Sequence, residues 1–566
     1  MSIATELTAL SGHITNAYDA VQTKGGTIPA NKNMANLDDA ILSIQSGADV
    51  TNGTVVRATA ASGTIPASTF LEVSDTSAYA ASEVQLAADS GSSYNANSTQ
   101  LSEDKIFIIK NNPSNSKQIV AAICDTSSGA PVMGPYSVVV TIDPASTITY
   151  QAIQYAACVA LSENKALVIS WNKNPSDAAK VAMYGVVCTI SGNTITAGAS
   201  TLITADFGAV GGKNAPPDGT YAIKLNENLV VVKFNMSTYR THCVAITISG
   251  TSLTPGTPVQ LNNTFSADAN DTVIYRATDN SFLFVTAGYT FGFSVSSNAI
   301  TQVGMLSASI GSEASSSNNL AYSIQRVGSL NRFITVGSSK YAVFDFDGTD
   351  LSLVTSGAYP ITGFAYANSR CTLLVKSGDN TFLFATLARL TRSGNDYRLF
   401  AYKFVISGDI VTVVELGSVD PDIVTSTSSI PTDVIHGHAL WGDNVLLVYP
   451  RTASPTASPS YGAVINMSSG SIKLVGQLSE TRDSIYSTDV AYGIGDSSVL
   501  YLFSYTPNSY STGYIKALVV KPDFTVVPSA TRIDGLSIDD LSTASSGDIW
   551  IFDDEMQIEN ADIRRY

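Results

Sequence analysis

One short signature recurs eight times between residues 100 and 535, and nothing else in the chain restricts its fold as strongly. It is a polar turn followed by an apolar strand. It reads DKIFII from Asp104, NKALVI from Asn164, ENLVVV from Glu227, NSFLFV from Asn280, NRFITV from Asn331, NTFLFA from Asn380, DNVLLV from Asp443 and SSVLYL from Ser497. Measured two residues into each copy, the spacings are 60, 63, 53, 51, 49, 63 and 54. A second signature, strand–tight turn–strand, falls inside most units. Its clearest copies are VCTISGNTIT from Val187, VAITISGTSLT from Val244, FSVSSNAIT from Phe293, VFDFDGTDLS from Val343, FVISGDIV from Phe404 and AVINMSSGSI from Ala463. Degenerate versions stand at Asp125–Gly129 and Lys521–Asp523. Gly, Asn and Asp supply the positive φ that hairpin turns require, and alternating apolar residues flank them.

Each unit thus holds a strand before the first signature, the marked strand and a hairpin pair. Four antiparallel strands in roughly 50 residues make one propeller blade. The expected fold is mainly β, an eight-bladed β-propeller with seven blades as the alternative; a stacked β-sandwich array and a β-solenoid are the rival architectures. The units of 60–63 residues carry polar insertions such as Asn172–Ala179 and Arg451–Ser460, expected on the surface. A ninth half-signature, SGDIWIF from Ser546, is expected either to close the ring or to belong to a C-terminal appendage. The expected organisation is a helical docking or oligomerisation module at 1–47 and a linker or small β element at 48–99. The propeller follows at 100–535, with the closing strand or appendage at 536–566.

Composition narrows the partners. Charged residues are 14% of the chain, against about 25% in an average soluble protein. With 31 basic and 47 acidic residues the net charge is −16, which repels phosphate backbones and anionic membranes. No apolar run approaches the roughly 20 residues of a membrane helix. The N-terminus, with Glu6 and Asp19 early and no basic start, does not read as a secretory signal. Cys124, Cys158, Cys188, Cys243 and Cys371 lie far apart without a CxxC pair, so they are expected as small buried strand residues made in a reducing cytoplasm.

The chemistry-bearing residues are few. His436 and His438 are two apart, so on a strand they share a face, and with Asp433 nearby they are the one ligand-like pair; ordinary polar packing is the competing reading. Asp345, Asp347 and Asp350 resemble part of a calcium loop, yet occupy the hairpin position filled by Ser-Gly-Asn or Ser-Gly-Asp elsewhere, which favours a plain Asp-Gly turn. The pairs Asp539-Asp540 and Asp553-Asp554 are adjacent and so point apart on a strand. Sialidase boxes, a phosphate loop, a GxSxG elbow and HExxH are absent from the sequence, and no Ser or Thr has a His partner in register. No catalytic residue, cofactor or metal is therefore assigned. Tyr397, Tyr505, Tyr510 and Tyr514 sit at insertions that do not recur in every repeat, which suits recognition of a sugar or protein; sealing of blade interfaces is the alternative.

The N-terminal segment reads as an attachment device. Ile3, Leu7, Leu10, Ile14, Ala17 and Val21 step by 4, 3, 4, 3 and 4, the 3.5-residue period of a coiled-coil seam. Lys24-Gly25-Gly26 would end that helix, and a second short helix is expected at Ala35–Gln45. Three heptads alone are marginal in water, so a partner or a larger body must hold them. Ala17 and Val21 before Lys24-Gly25-Gly26, then Thr27-Ile28-Pro29, Asn36-Leu37, Ala40-Ile41 and Ile44, resemble a short module of tail, baseplate and fibre proteins of tailed bacteriophages of Gram-positive hosts. The match covers about 40 residues and implies a virion structural context.

Taken together these features favour a tail or baseplate structural protein that displays a propeller for host-surface binding. It would be made in the host cytoplasm and assembled with other virion proteins. It is expected to be a homo-oligomer, with a trimer favoured, and to bind a bacterial surface glycan or protein, without binding nucleic acid or inserting in a membrane. A virion spacer or decoration is the alternative, and a glycan-degrading enzyme the third reading.

Overall fold

The computed structural model describes residues 53–552 apart from loop segments, the longest being 144–155, 206–219, 262–272, 308–322, 421–435, 451–459, 478–489 and 530–542; side chains are described chiefly between 97 and 520. The expected helices built on Ile3, Leu7, Leu10, Ile14, Ala17 and Val21 and on Ala35–Gln45 lie outside the described residues, as do Asp433 and Tyr510.

Ser77–Pro522 is one compact unit of eight antiparallel sheets, an eight-bladed β-propeller. In blades 1–7 the first four strands follow sequence order across the sheet. The first, innermost strands are Ala96–Ser102, Ala157–Ser162, Tyr221–Asn226, Val273–Thr278, Ser323–Val327, Tyr366–Lys376, His436–Ala439 and Val490–Ile494. Each repeat signature forms the turn into the second strand. In blades 1–7 the residue just before that strand, from Asp104 to Asp443, accepts at its carbonyl from a backbone N–H at the end of the third strand or just beyond it, at 2.7–2.9 Å. A hydroxyl two residues earlier locks the turn in several blades: Ser102, Ser162 and Thr278 donate to Asp104, Asn164 and Asn280 at 2.6, 2.8 and 2.8 Å. This is why a Ser or Thr, one residue, then Asp or Asn announces blades 1, 2, 4 and 5.

The second and third strands carry the core. VVV (Val230–Val232) in blade 3, FLF in blade 4 and FLFA in blade 6 are buried on both sheet faces because each blade is sandwiched between two others. Each such side chain contributes roughly 1.5–3 kcal/mol on burial. Aromatic pairs fill the blades with bulkier cores: Phe282 and Phe293 stack with centroids 5.1 Å apart, and Tyr359 meets Phe384 and Tyr402 edge-on at 5.5 and 5.2 Å. The Tyr359 hydroxyl donates to the Gly337 carbonyl at 2.7 Å, so the ring is buried with its polar end satisfied. At one close approach of two blades a side chain is missing: a Cβ on Gly437 would lie 2.4 Å from Leu373 Cδ2 of the preceding blade.

The hairpins between third and fourth strands form as expected. Gly192, Gly250 and Gly408 take φ near +60°, and blade 4, lacking glycine there, places Ser297 and Asn298 at +47° and +68°. The two degenerate signatures behave differently. In blade 1 the third strand ends at Asp125 and meets Val132–Met133 across a longer connection. In blade 8 the chain leaves the sheet at Pro522 and makes no such hairpin.

Blade 8 is completed from the other end of the repeats. Its fourth strand is Tyr79–Asp89, antiparallel to Gly513–Pro522 from Pro522↔Tyr79 to Gly513↔Asp89. The strand at Ser546–Phe552 pairs with Gly53–Ala60 instead. Those two, with Phe70–Val73 and Phe524–Ser529, form a four-stranded sheet in a separate compact unit. The ring is joined where blade 8 meets blade 1. Tyr492 donates to Ser98 Oγ at 2.9 Å, Gln100 donates to the Gly493 carbonyl at 2.8 Å, and Ile106, Ile108 and Cys124 share a core with Leu500, Ile515 and Val519.

Deleting Tyr79–Asp89 should uncover the edge of Gly513–Pro522 and the part of the core that Leu86 covers. The expected result is loss of the cooperative thermal transition, with partial recovery when a synthetic 77–90 peptide is added. An unchanged melt in the deletion would show that the ring does not depend on this strand.

Candidate functional site

Inner strands are sheet edges, so their backbone groups need partners from outside their own sheet. One register position supplies many of them. The residues paired with the second position of each marked strand are Gln100, Ala160, Lys224, Arg276, Arg326, Lys376, Ala439 and Gly493, in ring order. Long side chains here reach back across the blade interface. Gln100 caps Gly493 of blade 8, the Lys224 ammonium donates to the Leu161 carbonyl of blade 2 at 2.9 Å, and the Arg326 guanidinium donates to the Ala277 carbonyl of blade 4. Neighbouring contacts add to this belt: Thr99 Oγ1 accepts from Ala160 N, Asn97 donates to the Ala156 carbonyl at 2.6 Å, and Gln325 donates to the Leu374 carbonyl at 3.1 Å.

Four successive blades, 3 to 6, place Lys or Arg at this position. Arg276 departs from the pattern by turning to its own blade's hairpin, where Asp279 Oδ1 lies 2.5 Å away; Lys376 does the same with Asp379 at 3.1 Å. Arg276 and Asp279 side chains remain 47% and 76% exposed. Around them opens a depression of about 1010 Å³ spanning blades 3–5. Lys224, Arg276 and Arg326 line it with Tyr275, Asn226, Asn280 and Asn331. Asn226 Nδ2 holds the Asp279 carbonyl at 2.7 Å, and Arg326 lies over the Phe333 ring at 5.0 Å, so two walls of the depression are braced. Its lining includes no His or Cys. The arrangement suits an anionic, hydrogen-bonding ligand rather than proton transfer at neutral pH.

The residues singled out from sequence are dispersed. His436 and His438 fall on the inner strand of blade 7, opposite Val448 and Leu446. The His438 ring donates from Nδ1 to the Ala439 carbonyl at 2.6 Å and packs against Gly493, where a Cβ would lie 2.7 Å from the ring. It borders a second depression of about 460 Å³ with Gln100, Ser102, Glu103 and Gly493. The His436 side chain and Asp433 are outside the described residues. Among the described residues no group of three His, Cys, Asp or Glu is gathered as a metal site.

Tyr505 and Tyr514 are register partners where the second and third strands of blade 8 join, and Tyr397 pairs with Arg389 at the same end of blade 6. By strand direction this is the opposite end of the propeller from the cationic depression. Their side chains lie outside the described residues. Cys124, Cys188 and Cys243 are buried free thiols on strands and Cys158 is half-buried. Burial pushes Cys124 and Cys188 up to about 12 and raises Cys158 and Cys243 as well, so none is poised as a nucleophile. Cys371 lies on Tyr366–Lys376, with its side chain outside the described residues.

The aspartates of blade 5 are engaged within the fold. Asp345 receives Arg332 through both oxygens at 2.8 and 3.0 Å. Asp347 Oδ1 accepts from Thr349 N, Thr349 Oγ1 and Asp350 N at 2.8–2.9 Å, an Asx turn around Gly348. The backbone donors of Asp350 and Thr349 hold the Asp347 carboxyl down at about 2.

No protein-family model matches the chain, and no curated protein does. Solved structures resemble it at low identity. The WD40 domain of SCAP from fission yeast is 9% identical with a TM-score of 0.41, covering 78% of this chain and 98% of that one. A periplasmic gluconolactonase of Pseudomonas aeruginosa is 11% identical with a TM-score of 0.37, covering 67% and 98%. A mutant Trypanosoma rangeli sialidase is 12% identical with a TM-score of 0.29, covering 63% and 52%.

The Asp347 carboxylate fixes the pH behaviour of its turn. Its folded value lies below the unfolded one of 3.8, so its contribution is complete above about pH 4 and disappears as the pH falls towards 2. Asp347→Asn should lower the melting temperature at pH 7, and the gap from the parent should close between pH 4 and pH 2. A gap that is constant over that range would remove the charge from the account.

Proposed function

We propose that this propeller belongs to a structural protein of a tailed-phage particle, in the tail or baseplate, and binds the host surface. The observation that carries the proposal is the open depression of blades 3–5, which gathers Lys224, Arg276 and Arg326 with amide side chains on a chain of net charge −16. A recognition surface needs such a concentration of donors on a rigid frame, and the ring provides the frame. The resemblance of residues around Ala17–Ile44 to phage tail modules supports the virion context. In this reading the seam of Ile3, Leu7, Leu10, Ile14 and Val21 joins three copies and docks them on other virion proteins, after synthesis in the host cytoplasm. Multivalent display would then turn weak single-site binding into firm attachment.

Labelled full-length chain should bind Gram-positive cells saturably, in competition with unlabelled chain. Light scattering should give three times 59.4 kDa, and Leu10→Asp with Ile14→Asp should return the mass to 59.4 kDa and weaken cell binding about 10²-fold. A trimer without saturable binding to any host strain would favour a spacer or decoration role. A monomeric parent chain would remove the oligomerising arm from the proposal.

A further inference from the structure

We infer that the depression of blades 3–5 is a subsite for an acidic saccharide, whose carboxylate or phosphate group is held by Arg276 between Lys224 and Arg326. It rests on the host-surface reading only for where the saccharide comes from. Electrostatics points first to an anion. Three cationic side chains line one depression on a protein with 47 acidic and 31 basic residues, and Asp279 supplies one opposing charge. Carbonyl oxygens fix two of the three in place: a carbonyl satisfies the Lys224 ammonium and an Arg326 N–H without cancelling their charge. Like charges gathered on one depression favour an incoming anion, and the attraction is strongest where protein displaces water.

Geometry then assigns the leading role to Arg276. At the same register, Lys224 and Arg326 are tied across blade interfaces, whereas Arg276 is half-exposed and its partner Asp279 sits on an exposed hairpin. A guanidinium in that state can exchange an exposed aspartate for a ligand carboxylate or phosphate and grip it through two parallel N–H bonds. The remaining lining matches a sugar. Asn226, Asn280 and Asn331 offer amides to hydroxyl groups, and Tyr275, edge-on to Phe333 at 6.0 Å, offers a fixed ring. The volume of about 1010 Å³ stands at the upper end of small-ligand sites, roughly 300–1,000 Å³, and suits a short saccharide rather than a single ion. A nucleic acid is disfavoured, since a chain of net charge −16 repels a phosphate backbone.

The test uses the full-length chain and isothermal titration with three probes: lactose, 3′-sialyllactose and lactose 6-phosphate. At least one acidic probe should bind ten times more tightly than lactose, and the stronger of the two identifies carboxylate or phosphate as the preferred group. Raising the salt should weaken the acidic probe and leave lactose unchanged. Arg276→Gln and Lys224→Met should each lose about tenfold, Arg276→Lys should lose less, and Lys376→Met, in the same register one blade beyond the depression, should match the parent. Melting curves of the variants check that the ring is intact. Equal binding of all three probes, or parent-like affinity in Arg276→Gln, overturns the inference. Cell binding separates the two proposals. Host attachment that survives Arg276→Gln, with acidic-probe affinity equally unchanged, keeps the surface reading and refutes this subsite. Acidic-saccharide binding lost in Arg276→Gln, on a chain that attaches to no cell, keeps the subsite and refutes the host-surface reading.

Discussion

The pairing of Tyr79–Asp89 with Gly513–Pro522 is the contact on which the ring depends. A propeller blade is apolar on both faces, so no blade is stable with only one neighbour. In an open row of seven and three-quarter blades the two terminal faces would be wet. The terminal faces here include Ile106, Ile108 and Cys124 on one side and Leu500, Ile515 and Val519 on the other, all buried against each other. Drawing the fourth strand of blade 8 from ahead of blade 1 makes the two chain ends part of one sheet. Leu86, from that borrowed strand, packs on the same core. The loop so closed spans more than 400 residues, and its entropic cost grows only as the logarithm of that length, so ten register pairs and one shared core suffice to offset it.

Closing the ring creates a second constraint. Eight inner strands become eight edges around one axis, with carbonyls that no sheet neighbour reaches. The solution repeats at one register position: a long polar side chain bridges to the preceding blade. Gln100, Lys224 and Arg326 do this with three different head groups, which shows that reach and donors matter more than charge. That leaves charge free to vary around the ring. Blades 3–6 use it in one sense only, with Lys224, Arg276, Arg326 and Lys376, whereas blades 2, 7 and 8 carry Ala160, Ala439 and Gly493. A structural position has thereby become a one-sided cationic arc.

Much of the ring was legible from sequence because its turns are chemically constrained. Asp104, Asn164, Asn280 and Asn380 precede their marked strands for a reason that a reader of sequence can apply: the hairpin needs a short polar residue there, and it recurs once per blade. Eight signatures became eight blades. The closing strand was not legible. YAASEVQLAAD is rich in small residues and, as an outer strand, pairs with a single neighbour, so neither its turn chemistry nor its hydrophobicity matches the repeats; it fell within the stretch read as a linker or small β element. SGDIWIF matches them better yet pairs outside the ring. The arc was missed for a related reason. Its four residues lie 50–52 positions apart, each beside unremarkable neighbours, and they align only when the repeats are superposed on their turns. Histidine spacing and tyrosine-bearing insertions drew attention instead, although His438 is held by its own neighbour's carbonyl and the tyrosines lie at the other end of the blades.

The chemistry-bearing side chains of the ring are mostly committed to the fold. Among the described residues, the Cys124 and Cys188 thiols are raised to about 12 by burial, Tyr402 is likewise raised to about 12, and Asp345 and Asp347 are engaged by Arg332 and by a turn. Of the three cations of blades 3–5, Lys224 and Arg326 are held in place by backbone carbonyls of the preceding blade. Preorganised positive charge on a rigid ring loses little entropy when an anion arrives. On a chain with so few charged residues, Lys224, Arg276 and Arg326 together can orient an approaching acidic partner towards their side of the ring.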